Sequence, residues 1–274
     1  IHINFGHRAE NITDDVDLVV YTAAIHPDNP EYQAAQAKHI PLMDRARLLG
    51  EIMAEYEDSI AVAGTHGKTT TTSMVSEILL QADTDPTLSI GGILKSIGGN
   101  IRVGHSPYFV TEACEYTNSF LSFFPKISVI LNIDADHLDF FKDLDDIRHS
   151  FREYARLVPD DGALIINSDI DNIEYFTEGL KCSVITVGSD PNKSMYSAAN
   201  ITFDEFARGS YDLVVNGEIK DHITLKVTGK HNIYNSLASI AAAHFMGISN
   251  KDIKTGLMAY EGTDRRFQLK GKLG

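Results

Sequence analysis

Gly64-Thr65-His66-Gly67-Lys68-Thr69-Thr70 stands between two apolar stretches of different period. Ile60 to Ala63 ahead of it is a short continuous apolar run, the pattern of a buried strand. Behind it come Met74, Val75, Ile78 and Leu79, at helical spacing. Strand, glycine loop and helix N-terminus in that order form the setting of a phosphate-binding loop. Glycines let backbone N–H groups close around phosphate oxygens, and the helix start adds orphan donors and a partial positive charge. Lys68 is placed to reach terminal phosphates and the Thr69 hydroxyl to meet Mg²⁺. The stretch departs from the common G-x-x-x-x-G-K-[ST] form, because Val62 occupies the first glycine position. A bare Gly-Lys-Thr also fits an ordinary glycine turn. The flanking strand and helix favour nucleotide binding.

The same alternation continues on both sides. Upstream, Asp17 to Tyr21 reads as a strand, Asn29-Pro30 as a capped helix start, Ile40 to Met43 as a short strand and Asp44 to Tyr56 as a helix. Downstream, strands are predicted at Leu88–Ile90, Tyr108–Thr111, Ile127–Asn132, Ala163–Asn167 and Ser183–Val187. Helices are predicted at Thr69–Gln81 and Leu144–Leu157. Strands alternating with helices specify an α/β fold with a mostly parallel sheet covered on both faces. Phosphates then belong beyond the carboxyl ends of the strands. Tyr211–Val215, Asn216-Gly217 and Ile219–Val227 read as a hairpin at an antiparallel edge, since Asn-Gly supplies positive φ at both turn positions. His231–Met246, closed by Gly247, and Lys251–Tyr260, opened by a cap at Ser249, are predicted helices.

A chain of 274 residues with 43% apolar residues is long enough to bury a substantial core. A net charge of −14 argues against a nucleic-acid surface, though a nucleotide needs only a local positive site. No run of 18 apolar residues suggests a membrane span. The first residues carry no basic and apolar leader pattern, so no secretory signal is expected. Cys114 and Cys182 suit a reducing compartment, the cytoplasm, better than a disulfide framework. Cys114 is expected to be a buried spectator thiol. The chain opens on Ile1-His2-Ile3 and closes soon after a charged segment, which suggests a piece of a longer polypeptide.

Four further groups carry potential chemistry. Glu112 follows an apolar strand and suits a magnesium role, with Glu115 as a competitor and a solvated loop carboxylate as the plain alternative. Asn132-Ile-Asp134-Ala-Asp136-His137 follows the next strand, and His137 has the chemistry of a metal ligand with Asp136 orienting it. His231 and Asn235 share a helix face and suit a base or ribose, whereas helix capping by Asn232 beside a surface histidine is the alternative. Arg265 and Arg266 offer planar, permanently charged donors to a phosphate, or a solvated linker.

Together and in this order, these motifs resemble the Mur ligases of peptidoglycan synthesis. The carriers are Gly64–Thr70, Glu112-Ala-Cys-Glu-Tyr116, Asn132–His137, Gly229-Lys-His-Asn-Ile-Tyr-Asn235 and Arg265-Arg-Phe267. Val20–Pro30 looks like the end of the family's first domain. The resemblance implies residues 1–57 as the rear part of a Rossmann-like, UDP-binding N-terminal domain and 58–262 as a P-loop-containing ATP-binding central domain. Residues 263–274 would be the hinge and start of a third domain whose remainder is absent. It implies ATP contacts from Gly64, Thr65, His66, Gly67, Lys68, Thr69, Thr70, His231, Asn235, Arg265 and Arg266. It also implies catalytic roles for Lys68, Glu112 and His137, with Mg²⁺ served by Thr69, Glu112 and His137.

The implied activity joins L-alanine to the carboxylate of UDP-N-acetylmuramate through an acyl phosphate, and this chain by itself is expected not to ligate. The expected partners are those two substrates, with no nucleic acid and no membrane, and a homodimer as the candidate assembly. Some relatives carry a carbamoylated lysine on the helix matching Asp146–Tyr154; no lysine stands there, and none of that modification is expected. Two alternatives stay open: another carboxylate–amine ligase, of murein peptide recycling or of the folylpolyglutamate type, and a P-loop module that makes no bond.

Overall fold

Ile60, Ala61, Val62 and Ala63 are fully buried, and their side chains alternate between two cores. Ile60 and Val62 enter one, Ala61 and Ala63 the other, the period-two pattern of a strand covered on both faces. The structure is a computed structural model and describes residues 2–263. Its strands are β1 (Val19–Tyr21), β2 (Leu42–Asp44), β3 (Asp58–Ala63), β4 (Thr87–Leu94), β5 (Gly99–Arg102), β6 (Tyr108–Glu112), β7 (Ile127–Ile130), β8 (Ala163–Asn167), β9 (Ser183–Val187), β10 (Tyr196–Phe203), β11 (Arg208–Val215) and β12 (Glu218–Thr228). The α-helices are α1 (Pro30–Ala37), α2 (Arg45–Met53), α3 (Lys68–Gln81), α4 (Leu144–Ala155), α5 (Glu174–Thr177), α6 (His231–Phe245) and α7 (Asn250–Ala259).

β1 and β2 pair in parallel as a two-stranded sheet. Asn29 caps α1 as expected, its side chain accepting from the N–H groups of Glu31 and Tyr32, and Asp44 caps α2 in the same way. The other strands form one ten-stranded sheet in the order β12-β11-β10-β9-β8-β7-β3-β6-β4-β5. From β10 through β4 the neighbours run parallel; β5, β11 and β12 are antiparallel additions at the two ends. This is the expected mostly parallel α/β architecture. The predicted hairpin is β11–β12, with Asn216 and Gly217 at φ 50° and 78° and β12 at the sheet edge. Among the described residues no helix is long and apolar enough to cross a membrane.

Helices α3, α6 and α7 cover one face, contributing Met74, Ile78, Leu237, Ile253 and Leu257 to its core. Helices α2, α4 and α5 cover the other with Met53, Phe151, Tyr154 and Phe176. The Tyr154 hydroxyl donates to the Ala61 carbonyl at 2.7 Å, which ties α4 to β3 without stranding a buried polar group. Helix α3 is buried nearly all round although four threonines stand in its first turns, so packing rather than intrinsic propensity holds it helical. At its crossing with α7 a Cβ on Gly256 would lie 2.4 Å from the Ile78 Cα, so backbone rests on backbone there. Two strands were not anticipated, β5 and β10. One is a four-residue strand opening on Gly99 and Asn100, and the other is a half-exposed strand that meets β9 at a single residue pair and β11 across a bulge.

Candidate functional site

The loop between β3 and α3 requires its glycines. Gly64 and Gly67 have φ of 138° and 90°, outside what other residues adopt freely. A Cβ on Gly64 would sit 3.0 Å from Leu131 Cβ, and one on Gly67 would sit 2.7 Å from Asn235 Oδ1. The loop is braced from the chain after β7. Asn132 Oδ1 accepts from the His66 N–H at 2.7 Å, and its Nδ2 donates to the His66 carbonyl at 2.9 Å. The Thr65 N–H donates to the Asn132 carbonyl at 3.1 Å, and the Asp134 N–H donates to Thr65 Oγ1 at 2.9 Å. Asn132 and Asp134 therefore shape the loop by holding Thr65 and His66 in place.

Lys68 opens α3, and its Nζ is bound inward. It donates to the Gly64 carbonyl at 2.6 Å and to both carboxylate oxygens of Glu115 at 3.0 and 3.1 Å. Thr69 donates its hydroxyl to Glu112 Oε2 at 3.1 Å, while the other Glu112 oxygen accepts the Gly91 N–H at 2.5 Å. The two carboxylates thus divide the work: Glu115 pairs with the lysine, and Glu112 with the threonine that follows it. Hard oxygen donors from Thr69 and Glu112 fit a divalent cation such as Mg²⁺, which keeps several waters and takes few protein ligands. No group of three or more His, Cys, Asp or Glu gathers as a metal cluster among the described residues.

A cavity of about 970 Å³ opens over this helix start. Thr65 to Thr70 and Glu112 line its floor, and His231 and Asn235 of α6 one wall. A smaller recess of about 120 Å³ adjoins it, between Asn132, Asn167, Tyr234, His231 and Asn235. Asn235 is buried, and its amide donates to Asn232 Oδ1 at 3.0 Å, while Asn232 donates to the Thr228 carbonyl at 2.8 Å. The capping alternative for Asn232 is therefore corrected, because Asn232 lies inside α6 and its Oδ1 accepts from the Asn235 side chain rather than from a backbone N–H.

Gly64 contributes its carbonyl to Lys68 rather than a place on the cavity wall. His137 is not among the described residues lining either cavity. It has φ 52°, its ring lies 4.7 Å from that of Tyr116, and Asp136 accepts its backbone N–H at 2.8 Å. The Tyr116 hydroxyl donates to Asp139 at 2.9 Å, and that hydrogen bond to a carboxylate raises its pKa above the ordinary tyrosine value. Cys114 is exposed, a correction to the buried position expected of it. Desolvation nonetheless pushes its thiol above the usual range, with Glu115 adding to the rise, so it stays a protonated bystander near neutral pH. Arg265 and Arg266 lie outside the described residues. The arginines of α4 face α5: Arg148 and Arg152 lie 4.9 and 4.5 Å from the Phe176 and Tyr175 rings.

Several lining residues carried no signal in the sequence. Phe206 reaches the cavity from the turn between β10 and β11, and Arg208 from the start of β11, its guanidinium 4.7 Å from the Phe206 ring centre. Lys95 and Lys226 reach it from separate parts of the chain, and both approach Glu261, at 3.9 and 3.4 Å. The lining thus brings Lys68, Lys95, Arg208 and Lys226 together with Glu112 and Glu261 inside a strongly acidic chain.

A glycine loop that joins the central strand of a parallel sheet to a buried helix defines the class: a P-loop α/β protein. The family model described as Mur ligase middle domain matches residues 62–243, and that described as Mur ligase family, catalytic domain, matches residues 1–57. The chain belongs to the Mur ligase family. It is 63% identical to a UDP-N-acetylmuramate–L-alanine ligase of Lachnospira eligens over 98% of its length and 59% of that protein's. It is 56% identical to the same-named enzyme of Agathobacter rectalis, over 100% of its length and 59% of the relative's. The chain therefore spans about three fifths of the length of these curated relatives. Among solved structures, the UDP-N-acetylmuramate–alanine ligase of Thermotoga maritima superposes with a TM-score of 0.84 at 30% identity, covering 97% of this chain and 59% of that one. The UDP-N-acetylmuramate:L-alanyl-γ-D-glutamyl-meso-diaminopimelate ligase from Neisseria meningitides gives 0.85 at 27%, covering 95% and 84%.

Proposed function

We propose that the polypeptide is an ATP-dependent ligase that joins L-alanine to the lactyl carboxylate of UDP-N-acetylmuramate, a step in making peptidoglycan precursor. The observation that carries this is the loop itself, folded at the carboxyl end of β3 with Lys68 at the floor of a cavity of about 970 Å³. The identities of 63% and 56% to alanine ligases support the choice of substrates.

A carboxylate is a poor acyl donor, because its leaving group would be oxide. In this reading a carboxylate oxygen attacks the γ-phosphorus of ATP, the bond to the β–γ bridging oxygen breaks, and ADP departs. The amine of alanine then attacks the acyl carbon of the resulting acyl phosphate. The tetrahedral adduct loses a proton from nitrogen, the carbon–oxygen bond to phosphate breaks, and inorganic phosphate leaves. No protein nucleophile is needed; the protein positions the reactants and stabilises developing charge.

The roles follow from the placements. Backbone N–H groups of Gly67–Thr70 and the Lys68 ammonium hold the phosphates at the start of α3, on a loop whose Thr65 and His66 N–H groups are taken up by Asn132. His231 and Asn235 take the adenosine end of the cavity. Thr69 and Glu112 would hold Mg²⁺, which when bound would neutralise charge on the phosphate oxygens. His137 offers a ring nitrogen to a second magnesium position, and Arg265 or Arg266 a guanidinium to phosphate, both assigned by the family resemblance. A cytoplasmic site of action belongs to the same proposal.

The test is phosphate release by the intact polypeptide against a panel of amino acids and peptides. Release that needs both UDP-N-acetylmuramate and L-alanine is the expected result. Release with a peptide in place of alanine, or with a folate as the carboxylate and glutamate as the amine, would move the assignment to another carboxylate–amine ligase. Turnover of nucleotide with neither acceptor would favour a module that makes no bond.

A further inference from the structure

Glu115 has no part in the roles assigned above, yet it is 2% exposed and faces the one lysine at the start of α3. An ammonium has three N–H donors. Those of Lys68 go to the Gly64 carbonyl at 2.6 Å and to the two Glu115 oxygens at 3.0 and 3.1 Å, with the Thr65 carbonyl at 3.4 Å. Every hydrogen that a phosphate would need is already engaged. Glu115 cannot follow the lysine outward, because its backbone is pinned on both sides. The Ala113 N–H donates to the Val62 carbonyl at 2.8 Å, the Phe120 N–H to the Cys114 carbonyl at 3.0 Å, and the Asn118 N–H to the Glu115 carbonyl at 2.9 Å. Thr117 and Asn118 complete the turn in the left-handed region, at φ 55° and 57°. A carboxylate so buried has little water to replace a departing cation, so separating the pair is costly.

We propose that Glu115 is a positioning residue that parks Lys68 against the loop in the nucleotide-free protein and so holds down affinity for a polyphosphate. The inference rests on the nucleotide reading of the loop. A phosphate chain must draw the ammonium off Glu115, and the buried carboxylate repels the same phosphates. Both effects act on phosphate alone, and a nucleoside feels neither.

The experiment is calorimetric titration of this chain with ATP and with adenosine, both in EDTA so that no divalent cation takes part. In Glu115→Gln, ATP affinity is expected to rise by about threefold or more while adenosine affinity stays at the wild-type level. A role confined to holding the local structure would move both ligands together. ATP affinity that is unchanged or weaker in a folded Glu115→Gln overturns the proposal. If that variant does not fold, Glu115→Asp decides, since its shorter side chain retracts the carboxylate; a smaller gain confined to ATP supports the proposal, and no gain overturns it. Failure of both to fold makes Glu115 structural and also overturns it. Lys68→Ala separates the two levels of the argument: ATP binding that survives its loss sinks the phosphate-loop reading itself. Loss of ATP binding in Lys68→Ala with no gain in Glu115→Gln sinks only the role of Glu115.

Discussion

Gly67 shows how little freedom the loop has. Its φ of 90° and the 2.7 Å gap to Asn235 Oδ1 leave no room for a methyl group. Gly67→Ala is expected to lower stability by about 1–3 kcal/mol, through left-handed strain and displacement of Asn235. It should also weaken ATP binding, because Asn235 lines the same cavity. Urea unfolding and calorimetry check both, and a variant with wild-type values in each would contradict the fit described. At this scale the sequence was informative where function depends on neighbours in the chain. Lys68 and Thr69 were legible from the glycines beside them. The pairing of Lys68 with Glu115 was not, because it joins positions 47 residues apart and nothing local distinguishes Glu115 from Glu112. Asn132 was noticed as part of a polar group, but its work as a brace for His66 appears only when β7 lies beside β3.

The elements follow the same division. The β11–β12 hairpin was readable because Asn216-Gly217 determines its own turn. The addition of β5 to β4 was not, since a clip between residues 17 apart closes it. Asp85, just before β4, accepts from the Arg102 guanidinium at the end of β5 and from the His105 N–H at 2.9 Å. Arg102 also donates to the Pro86 carbonyl at 2.6 Å. The Arg102 hydrogen bond, chiefly, lowers the Asp85 pKa to about 2. A depressed folded-state pKa means the ionised form favours the fold. The stabilisation is full above the ordinary aspartate pKa of about 3.9 and is lost as pH falls from there toward about 2. Asp85→Asn should therefore melt below wild type at neutral pH, and the gap should narrow across that acid window. A gap independent of pH would show that the charge on Asp85 is not what holds the clip.

Across the whole molecule, burial is uneven. Among the described residues before Met53 the buried apolar ones are Ile12 and Ala35, whereas β3, β7 and β8 are buried throughout their centres and mostly apolar. Amide hydrogen exchange should accordingly show β1 and β2 opening at much lower free energy than the middle strands of the large sheet. Equal protection in both would mean that the small sheet is stabilised by something other than buried apolar contact. The parallel architecture itself was legible, because continuous apolar runs such as Ile127–Leu131 belong to strands covered on both sides. The cavity wall was not, because Phe206, Arg208, Lys95 and Lys226 come from separate elements.

The contact between Gly256 and Ile78 has a mechanical consequence. Two helices whose main chains touch cannot slide past one another as helices separated by long side chains can. The Thr263 hydroxyl lies 3.1 Å from that of Ser73 on α3 and 3.0 Å from that of Tyr260 just past α7, so the exit of the chain is fastened to the same post. Thr263, the last described residue, is thus moored to the helix that begins at Lys68, as a rope is made fast to a mast.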